Sequence, residues 1–377
     1  MRQVRVGSME LTPAHKAAVM KVLSSNQLSP GKTCREFEKK FAHAHGAKHG
    51  LFVNSGTDAL RIALLAMKEK YKWPDGSKVA VPALTFVASV NTILQANLTP
   101  LFIDVSPNDF NLDPSLLEAA LERNAKAVAV MPVHLFGNPC DVAWILRLAR
   151  KYGLRVIEDS CEMMGVSKIW GDVACYSTYV CHLISTGVGG LATTNDSTLS
   201  ALMRSYANHG RNINYLPGTQ ASKDIAKRFQ FDRIGYSARS TEVEAALGIV
   251  ELDFLQKHIR RRQEVATRLF YALDSISDFF YVQLNTGAHM MFPVVLWRKS
   301  HISKWSLCKF LEKNGIETRE MLPLINQPCY KKMNIRQKDF PVASWVNNCG
   351  FYIGCHPGMT DDDVSHVIET FRRFFNG

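Results

Sequence analysis

Short apolar runs alternate with helical patterns between about residues 50 and 195, and this alternation restricts the fold more than any other feature. Four runs, at 78–82, 100–105, 127–133 and 154–159, indicate buried strands. Helical stretches at 58–70, 85–96, 114–123 and 141–151 lie among them. Strands that alternate with helices are typical of a mainly parallel sheet covered by helices on both faces. The sequence therefore predicts an α/β fold.

The length and the remaining pattern predict two domains. A chain of 377 residues is long for a single hydrophobic core. A long amphipathic stretch at 241–273 would connect the domains, and a strand at 292–297 with helices at 302–314 and 360–375 follows it. We expect a large domain over residues 1–250 and a smaller C-terminal α+β domain over residues 251–377.

The composition argues against several classes of protein. The hydrophobic content of 46% and the charged content of 21% are those of a soluble globular protein. The chain has no apolar run of the roughly 20 residues that span a bilayer, and its N-terminal residues lack the apolar stretch of a secretory signal, so we expect a cytoplasmic protein with no membrane partner. Nine cysteines without a C-x-x-C pair predict reduced thiols and no metal site.

The formal net charge of +11 has two interpretations, nucleic-acid binding or basic residues on solvated helix faces. The basic residues are dispersed along the chain, and their densest cluster, at 258–262, lies beside Glu251, Asp253 and Glu264. This mixture of charges favours a solvated helix face and no nucleic-acid partner. A modest positive field would also attract a substrate that carries a pyrophosphate.

Polar residues occur where strands of the predicted sheet end, which is where parallel sheets bind ligands. The segment 54–57, with sequence NSGT, opens a helix whose amides favour an anion, although it is also an ordinary helix-capping sequence. Asp159 ends a predicted strand and would otherwise be a helix cap or a surface charge. His182 stands in an apolar segment, where a histidine is usually a satisfied core residue, but an imidazole can also move protons near neutral pH.

Several segments, in order, resemble the DegT/DnrJ/EryC1/StrS family of pyridoxal-phosphate (PLP) enzymes that act on nucleotide sugars. They are NSGTDAL at 54–60, PALTFVAS at 82–89, PVHLFGNP at 132–139, EDSCEMMG at 158–165, STYVCHLISTGVGG at 177–190, GYSAR at 235–239 and IETREMLPLINQP at 316–328. The match runs from about residue 30 to residue 370. It implies the PLP-dependent transferase fold type I, with a large cofactor-binding domain and a smaller C-terminal α+β domain.

The resemblance implies four contacts with the cofactor phosphate. Gly56 and Thr57 correspond to the family's phosphate cradle. Ser177 corresponds to its phosphate-binding serine, although an ordinary strand hydroxyl is the simpler interpretation. Ser237 replaces an asparagine that reaches the phosphate of the neighbouring subunit, so the match also implies a homodimer.

Five further residues acquire roles from the same resemblance. Phe86 would stack on the pyridine ring, with core packing as the alternative, and Asp159 would pair with the ring nitrogen. Glu162 would lie near the ring hydroxyl. Arg239 and Arg319 would bind substrate, with a surface salt bridge as the alternative for Arg319.

His182 occupies the position at which the family's lysine binds PLP covalently, and no lysine occurs between Lys168 and Lys223. Two branches of the family carry histidine there, and both dehydrate nucleotide sugars at C3 with non-covalent pyridoxamine phosphate (PMP) while the histidine transfers a proton. One branch also holds an iron–sulfur cluster on closely spaced cysteines that include a C-x-C pair, which this chain lacks. The resemblance therefore implies the GDP-4-keto-6-deoxymannose-3-dehydratase branch, in which glutamate regenerates PMP.

Three departures from the family pattern leave the substrate and the reaction open, and one of them is a loop from Gly165 to Asp172 that is shorter than usual. Val188 replaces an acidic residue of the family, and Leu183 stands where the known dehydratases often carry a second histidine. One alternative is a sugar aminotransferase-like enzyme with altered chemistry on an amino or keto sugar. Another is a non-catalytic relative that binds a nucleotide sugar, although Asp159 would then have no pyridine to pair with.

Overall fold

The computed structural model describes residues 2–123, 127–165, 168–212, 229–276, 278–284, 287–322 and 324–376. In this part of the chain, seven strands form the larger of two sheets. They are β1 (His49–Val53), β2 (Lys78–Pro82), β3 (Thr99–Ile103), β4 (Ala127–Val130), β5 (Arg155–Asp159), β6 (Val173–Ser177) and β7 (Gly190–Thr194).

The larger sheet has the strand order β1-β7-β6-β5-β4-β2-β3. The neighbours from β6 to β3 pair in parallel, whereas β7 is antiparallel to both β1 and β6. The prediction of a mainly parallel sheet is confirmed. Because parallel strands end at the same edge, the residues that follow β2, β5 and β6 lie close together.

Helices cover this sheet and continue into the C-terminal part. Within the described residues they are α1 (Pro13–Ser24), α2 (Lys32–Ala44), α3 (Gly56–Tyr71), α4 (Val87–Gln95), α5 (Pro114–Arg123), α6 (Val142–Tyr152), α7 (Ser197–Ala207), α8 (Glu242–Asp274), α9 (Lys304–Lys313), α10 (Pro341–Cys349) and α11 (Asp361–Asn376). Side-chain caps fix several of their starts. Ser55 accepts a hydrogen bond from the Asp58 amide at 3.1 Å, and Thr241 caps α8 together with Glu244.

The smaller sheet contains β8 (Phe280–Val282), β9 (Met291–Leu296), β10 (Thr318–Glu320) and β11 (Gly350–Gly354). These strands are antiparallel and follow the order β10-β11-β9-β8. The C-terminal half of α8 packs in the core of this sheet through Val265, Ala266, Leu269 and Leu273. The predicted domain boundary at residue 250 falls within α8, and the division into two domains stays a prediction.

The N-terminal segment joins the smaller sheet to the segment after β6. The Val4 amide donates to the Gly315 carbonyl at 2.8 Å, and the Glu317 amide donates to the Val4 carbonyl at 2.9 Å. A Cβ atom on Gly7 would come within 2.7 Å of the Cα atom of Cys181. The first residues of the chain therefore pack directly against the segment that carries His182.

Two further expectations concern cysteines and membranes. All nine cysteines are free in this structure. In the described ranges, no helix has the length and apolar character that crossing a membrane requires.

Candidate active site

Asp159 lies at the carboxyl end of β5 and is only 5% exposed, so it is not a surface charge. Its Oδ2 atom accepts a hydrogen bond from the Ser89 hydroxyl at 2.7 Å, and its Oδ1 atom accepts one from the Cys161 amide at 3.2 Å. The Thr85 hydroxyl in turn contacts the Ser89 hydroxyl at 2.9 Å. These donors hold the carboxylate in one orientation at the edge where the strands end.

His182 follows β6 and is held by the turn after β5. Its Nδ1 atom lies 2.5 Å from the carbonyl oxygen of Cys161, and because a carbonyl can only accept, Nδ1 carries the proton. Burial lowers the pKa of His182 to about 4, and the positive charge of Arg262 acts in the same direction. The ring is therefore neutral at pH 7, with a lone pair on Nε2.

The backbone of Cys161 connects these two groups. Its amide donates to Asp159, whereas its carbonyl accepts from His182. The relative positions of the carboxylate and the imidazole thus depend on the conformation of one residue. Sequence analysis did not identify this role, because a backbone contact between positions 21 residues apart leaves no signal in side-chain pattern.

The structure brings Gly56 and Ser177 together at the start of α3. A Cβ atom on Gly56 would approach the Cβ atom of Ser177 to 2.8 Å and the sulfur of Cys161 to 2.9 Å. A side chain at position 56 is therefore excluded, because the start of α3 packs directly against the end of β6. Thr57 is the next residue of the same turn and is half-buried. The predicted cradle residues are neighbours, and their role in binding phosphate stays a prediction.

Phe86 immediately precedes α4 and is 59% exposed. Core packing, the alternative from sequence, is therefore wrong for this side chain. Tyr179 and Val188, on the segment between β6 and β7, are also exposed. Three apolar side chains thus face solvent on segments that adjoin the site.

Glu162 follows Cys161 in the turn after β5 and is buried. Its Oε2 atom accepts a hydrogen bond from the Phe136 amide at 2.7 Å. Burial raises the pKa of Glu162 to about 7, and the charge of Asp159 acts in the same direction. Near neutral pH this carboxyl group is therefore shared between its protonated and charged forms.

Ser237 and Arg239 lie beside the end of β1. Arg239 forms an isolated bridge with Val53, and its Nη2 atom donates to the Ser237 hydroxyl at 3.0 Å. Both side chains are exposed. The hydrogen bonds that these two side chains make within the described residues do not connect them to Asp159 or His182.

Arg319 lies on β10, where its guanidinium forms an ion pair with Glu317 and remains more than half exposed. The surface salt bridge that was the alternative for Arg319 is therefore present. Burial raises the pKa of the Cys181 thiol, and the positive charge of Arg319 opposes that increase. Arg319 thus lies close enough to act electrostatically on the residue next to His182, and its role in binding substrate stays a prediction.

The prediction of a solvated helix face at 258–262 is wrong for Arg262. This side chain is 2% exposed, and its Nη2 atom donates to the His182 carbonyl at 3.0 Å. The charge pattern gave no sign of burial. The helical spacing does indicate burial, because Arg262 lies on the same buried face of α8 as Leu255, Ile259 and Ala266.

Comparisons with known proteins agree on one family. The model of the DegT/DnrJ/EryC1/StrS aminotransferase family matches residues 10–372. GDP-perosamine synthase of Caulobacter vibrioides is 34% identical over 352 residues, which cover 90% of this chain and 89% of that protein. GDP-4-keto-6-deoxy-D-mannose 3-dehydratase of Yersinia pseudotuberculosis is 27% identical over 378 residues, which cover 94% of this chain and 95% of that protein.

Among solved structures, the E coli GDP-4-keto-6-deoxy-D-mannose-3-dehydratase with bound hydrated PLP has a TM-score of 0.90. It is 24% identical, and the match covers 98% of this chain and 99% of that one. This likeness confirms the predicted PLP-dependent transferase fold.

Proposed function

This chain belongs to the DegT/DnrJ/EryC1/StrS aminotransferase family, whose members are PLP-dependent enzymes, and we propose that it is a nucleotide-sugar 3-dehydratase of deoxysugar biosynthesis. One observation carries the proposal. At the position where the family places its cofactor lysine, His182 donates from Nδ1 to the Cys161 carbonyl and leaves Nε2 as a neutral proton acceptor. A histidine cannot bind PLP covalently as that lysine does, so the cofactor would be held without a covalent link.

The residues around His182 fit such a cofactor. The start of α3 at Gly56 has no side chain and carries the positive end of the helix dipole, which suits a phosphate. Thr57 and Ser177 would contribute hydroxyls to the same phosphate. Phe86 offers an exposed aromatic face, and the buried carboxylate of Asp159 suits a pyridine nitrogen. When bound, PMP supplies an amine and an electron-withdrawing ring.

His182 would supply the proton transfer. The neutral ring can accept a proton at Nε2, because Nδ1 is already committed to the Cys161 carbonyl. The same Nε2 atom can then return that proton to a departing hydroxyl group, which leaves as water. Arg239 and Arg319 would bind the charged groups of the nucleotide-linked sugar, and Glu162 would lie near the ring hydroxyl of the cofactor. Glutamate would serve as amino donor.

The proposal includes a cytoplasmic homodimer. Tyr179 and Val188 are apolar and exposed on the segment between β6 and β7, as expected of residues that a second subunit covers. Ser237 and Arg239 would reach the site of that second subunit. Light scattering on the purified protein measures the subunit number, and a monomer would contradict this part of the proposal.

A sugar aminotransferase is the second candidate, because a relative that is 34% identical is a GDP-perosamine synthase. It ranks second because transamination in this family depends on a lysine, and none lies between Lys168 and Lys223. A non-catalytic protein that binds a nucleotide sugar is the remaining alternative.

One experiment separates the three functions. The purified protein is mixed with PLP, treated with borohydride and digested, and we expect no lysine peptide to carry the cofactor. In a sample that has been neither reduced nor digested, glutamate should shift the absorption band of PLP to that of PMP. Mass spectrometry after addition of 4-keto sugar nucleotides should detect loss of water from the sugar. A gain of an amine would instead indicate an aminotransferase, and an unchanged band with glutamate would indicate a binding protein.

Variants at position 182 test the role of the imidazole. His182→Asn keeps an N–H donor for the Cys161 carbonyl but has no titrating nitrogen, so dehydration should fall by about 100-fold or more while PLP still binds. His301→Asn, at an exposed histidine outside the site, is the matched control. Wild-type dehydration by His182→Asn would refute the proposal.

A further inference from the structure

Three side chains of α8 contact the histidine loop, which we define as residues 178–189 between β6 and β7. Glu251 accepts a hydrogen bond from the Ser185 amide at 3.0 Å, and His258 bonds to the Leu183 backbone. Arg262 donates to the His182 carbonyl at 3.0 Å. Positions 251, 258 and 262 lie seven and four residues apart, so they share one face of the helix. This face of α8 holds the histidine loop at three successive places.

Arg262 is unusual among these contacts, because it is a buried cation whose Nη1 and Nη2 atoms donate to carbonyl groups, while its Nε atom has no hydrogen-bond partner. Its Nη1 atom donates to the carbonyls of Met290 at 2.6 Å and Cys355 at 2.8 Å. Within the described part of the chain, no carboxylate forms an ion pair with it. Burial lowers the pKa of Arg262 to about 10, so the guanidinium remains charged at pH 7. A buried charge with no carboxylate in direct contact costs stability, and here that charge is placed against the backbone of His182.

We propose that Arg262 is a positioning residue for His182, which fixes the carbonyl of the histidine loop and, through its positive charge, disfavours protonation of the imidazole. This inference rests on the proposed role of His182 as proton acceptor. A cation near an imidazole disfavours the imidazolium form. The hydrogen bond fixes the backbone that carries the ring, and the positive charge adds to burial in favouring the neutral form of the ring.

Other charged or titratable groups surround the histidine loop on every side. The loop itself contributes Tyr179 and Cys181, and the turn after β5 contributes Asp159, Cys161 and Glu162. Helix α8 contributes Glu251 and His258, and the smaller sheet with its following turn contributes Arg319, Tyr352 and His356. The negative charge of Asp159 would favour a protonated His182, whereas Glu162, with a pKa of about 7, is itself protonated at the lower pH where His182 takes up its proton. Arg262 is the group whose charge lowers the pKa of His182 in addition to burial.

The test compares a neutral and a charged replacement. Arg262→Gln keeps hydrogen-bond donors but removes the charge, whereas Arg262→Lys keeps the charge and loses the planar fork. Histidine-labelled protein is titrated by NMR, and the His182 signal is identified by its absence in His182→Asn. Arg262→Gln should raise the titration midpoint of His182 by about one pH unit, the size expected for one charge several ångströms away. Arg262→Lys should leave it within a few tenths of a unit.

Arg261→Gln is the matched control, because this neighbouring arginine forms ion pairs with Glu264 and Asp361 and should not move the midpoint. If Arg262→Gln does not fold by circular dichroism, Arg262→Met, which fills the volume without a charge, replaces it. An unchanged His182 midpoint in a folded neutral variant would overturn the proposal and leave Arg262 a structural residue. The titration needs no turnover, so its result is independent of whether dehydration is detected. Where dehydration is detected, the acid limb of the pH–rate profile should shift with the midpoint.

Discussion

Protonation of His45 should destabilise the protein near the candidate site. This ring is 1% exposed, donates from Nδ1 to the Phe41 carbonyl at 2.9 Å and accepts at Nε2 from the Gly165 amide at 3.1 Å. Gly165 ends the turn that contains Cys161 and Glu162. A proton on Nε2 would replace an acceptor by a donor and place two N–H groups against each other.

The magnitude follows from the pKa of the ring. Burial lowers the pKa of His45 from 6.5 to about 4, so the unfolded chain takes up the proton first as the pH falls. The stabilising contribution is therefore present above pH 6.5, declines as the pH falls below that value, and is lost at about pH 4. Between pH 6.5 and pH 5, an interval of about 1.5 pH units, His45 is protonated in the unfolded chain but neutral in the folded one. This difference lowers the free energy of unfolding by about 2 kcal/mol between pH 7 and pH 5.

Urea unfolding at pH 7 and pH 5 tests this value. Wild type should lose about 2 kcal/mol more between these pH values than His45→Gln, whose side chain does not titrate. The other buried histidines are present in both proteins, so their contributions to the pH dependence of the unfolding free energy cancel in the comparison. His43→Gln, at an exposed position of the same helix, should behave as wild type. Equal losses in wild type and His45→Gln would refute the argument.

Two further predictions concern the site itself. Gly56→Ala should abolish PLP binding in an absorbance titration, because the new Cβ atom would lie 2.8 Å from that of Ser177, and wild-type affinity would contradict the proposed phosphate cradle. Ser89→Ala removes the 2.7 Å donor to the buried Asp159, so the unfolding free energy should fall by about 1–3 kcal/mol in urea titrations, and no change would mean that another donor replaces it.

The local parts of the fold could be predicted from sequence. The run at 78–82 coincides with β2, and the position of Asp159 at the end of β5 follows from its place after an apolar run. Both depend on periodicity within a few residues. The antiparallel pairing of β1 with β7 joins residues more than 130 positions apart, and no local pattern specifies it. Of the smaller sheet, sequence analysis indicated only β9.

The site could be predicted only in part for the same reason. Motif order identified His182, Asp159 and Gly56, and the structure places all three where the strands end. The hydrogen-bond partners of Asp159 and His182 were not predicted, because Ser89 and Arg262 contact them from distant positions in the sequence. Arg262 shows the limit most clearly: its charge predicted exposure, whereas the apolar stripe around it predicted burial, and tertiary packing determined the outcome.

The close packing of Gly7 against Cys181 has a consequence for the folding of the chain during its synthesis. Val4 finds its backbone partners only after residues 315–317 have been made. The N-terminal segment that packs against the segment carrying His182 therefore cannot dock before that stage of synthesis. Substitutions at residues 4–7 that prevent this late docking should thus disturb the segment that carries His182.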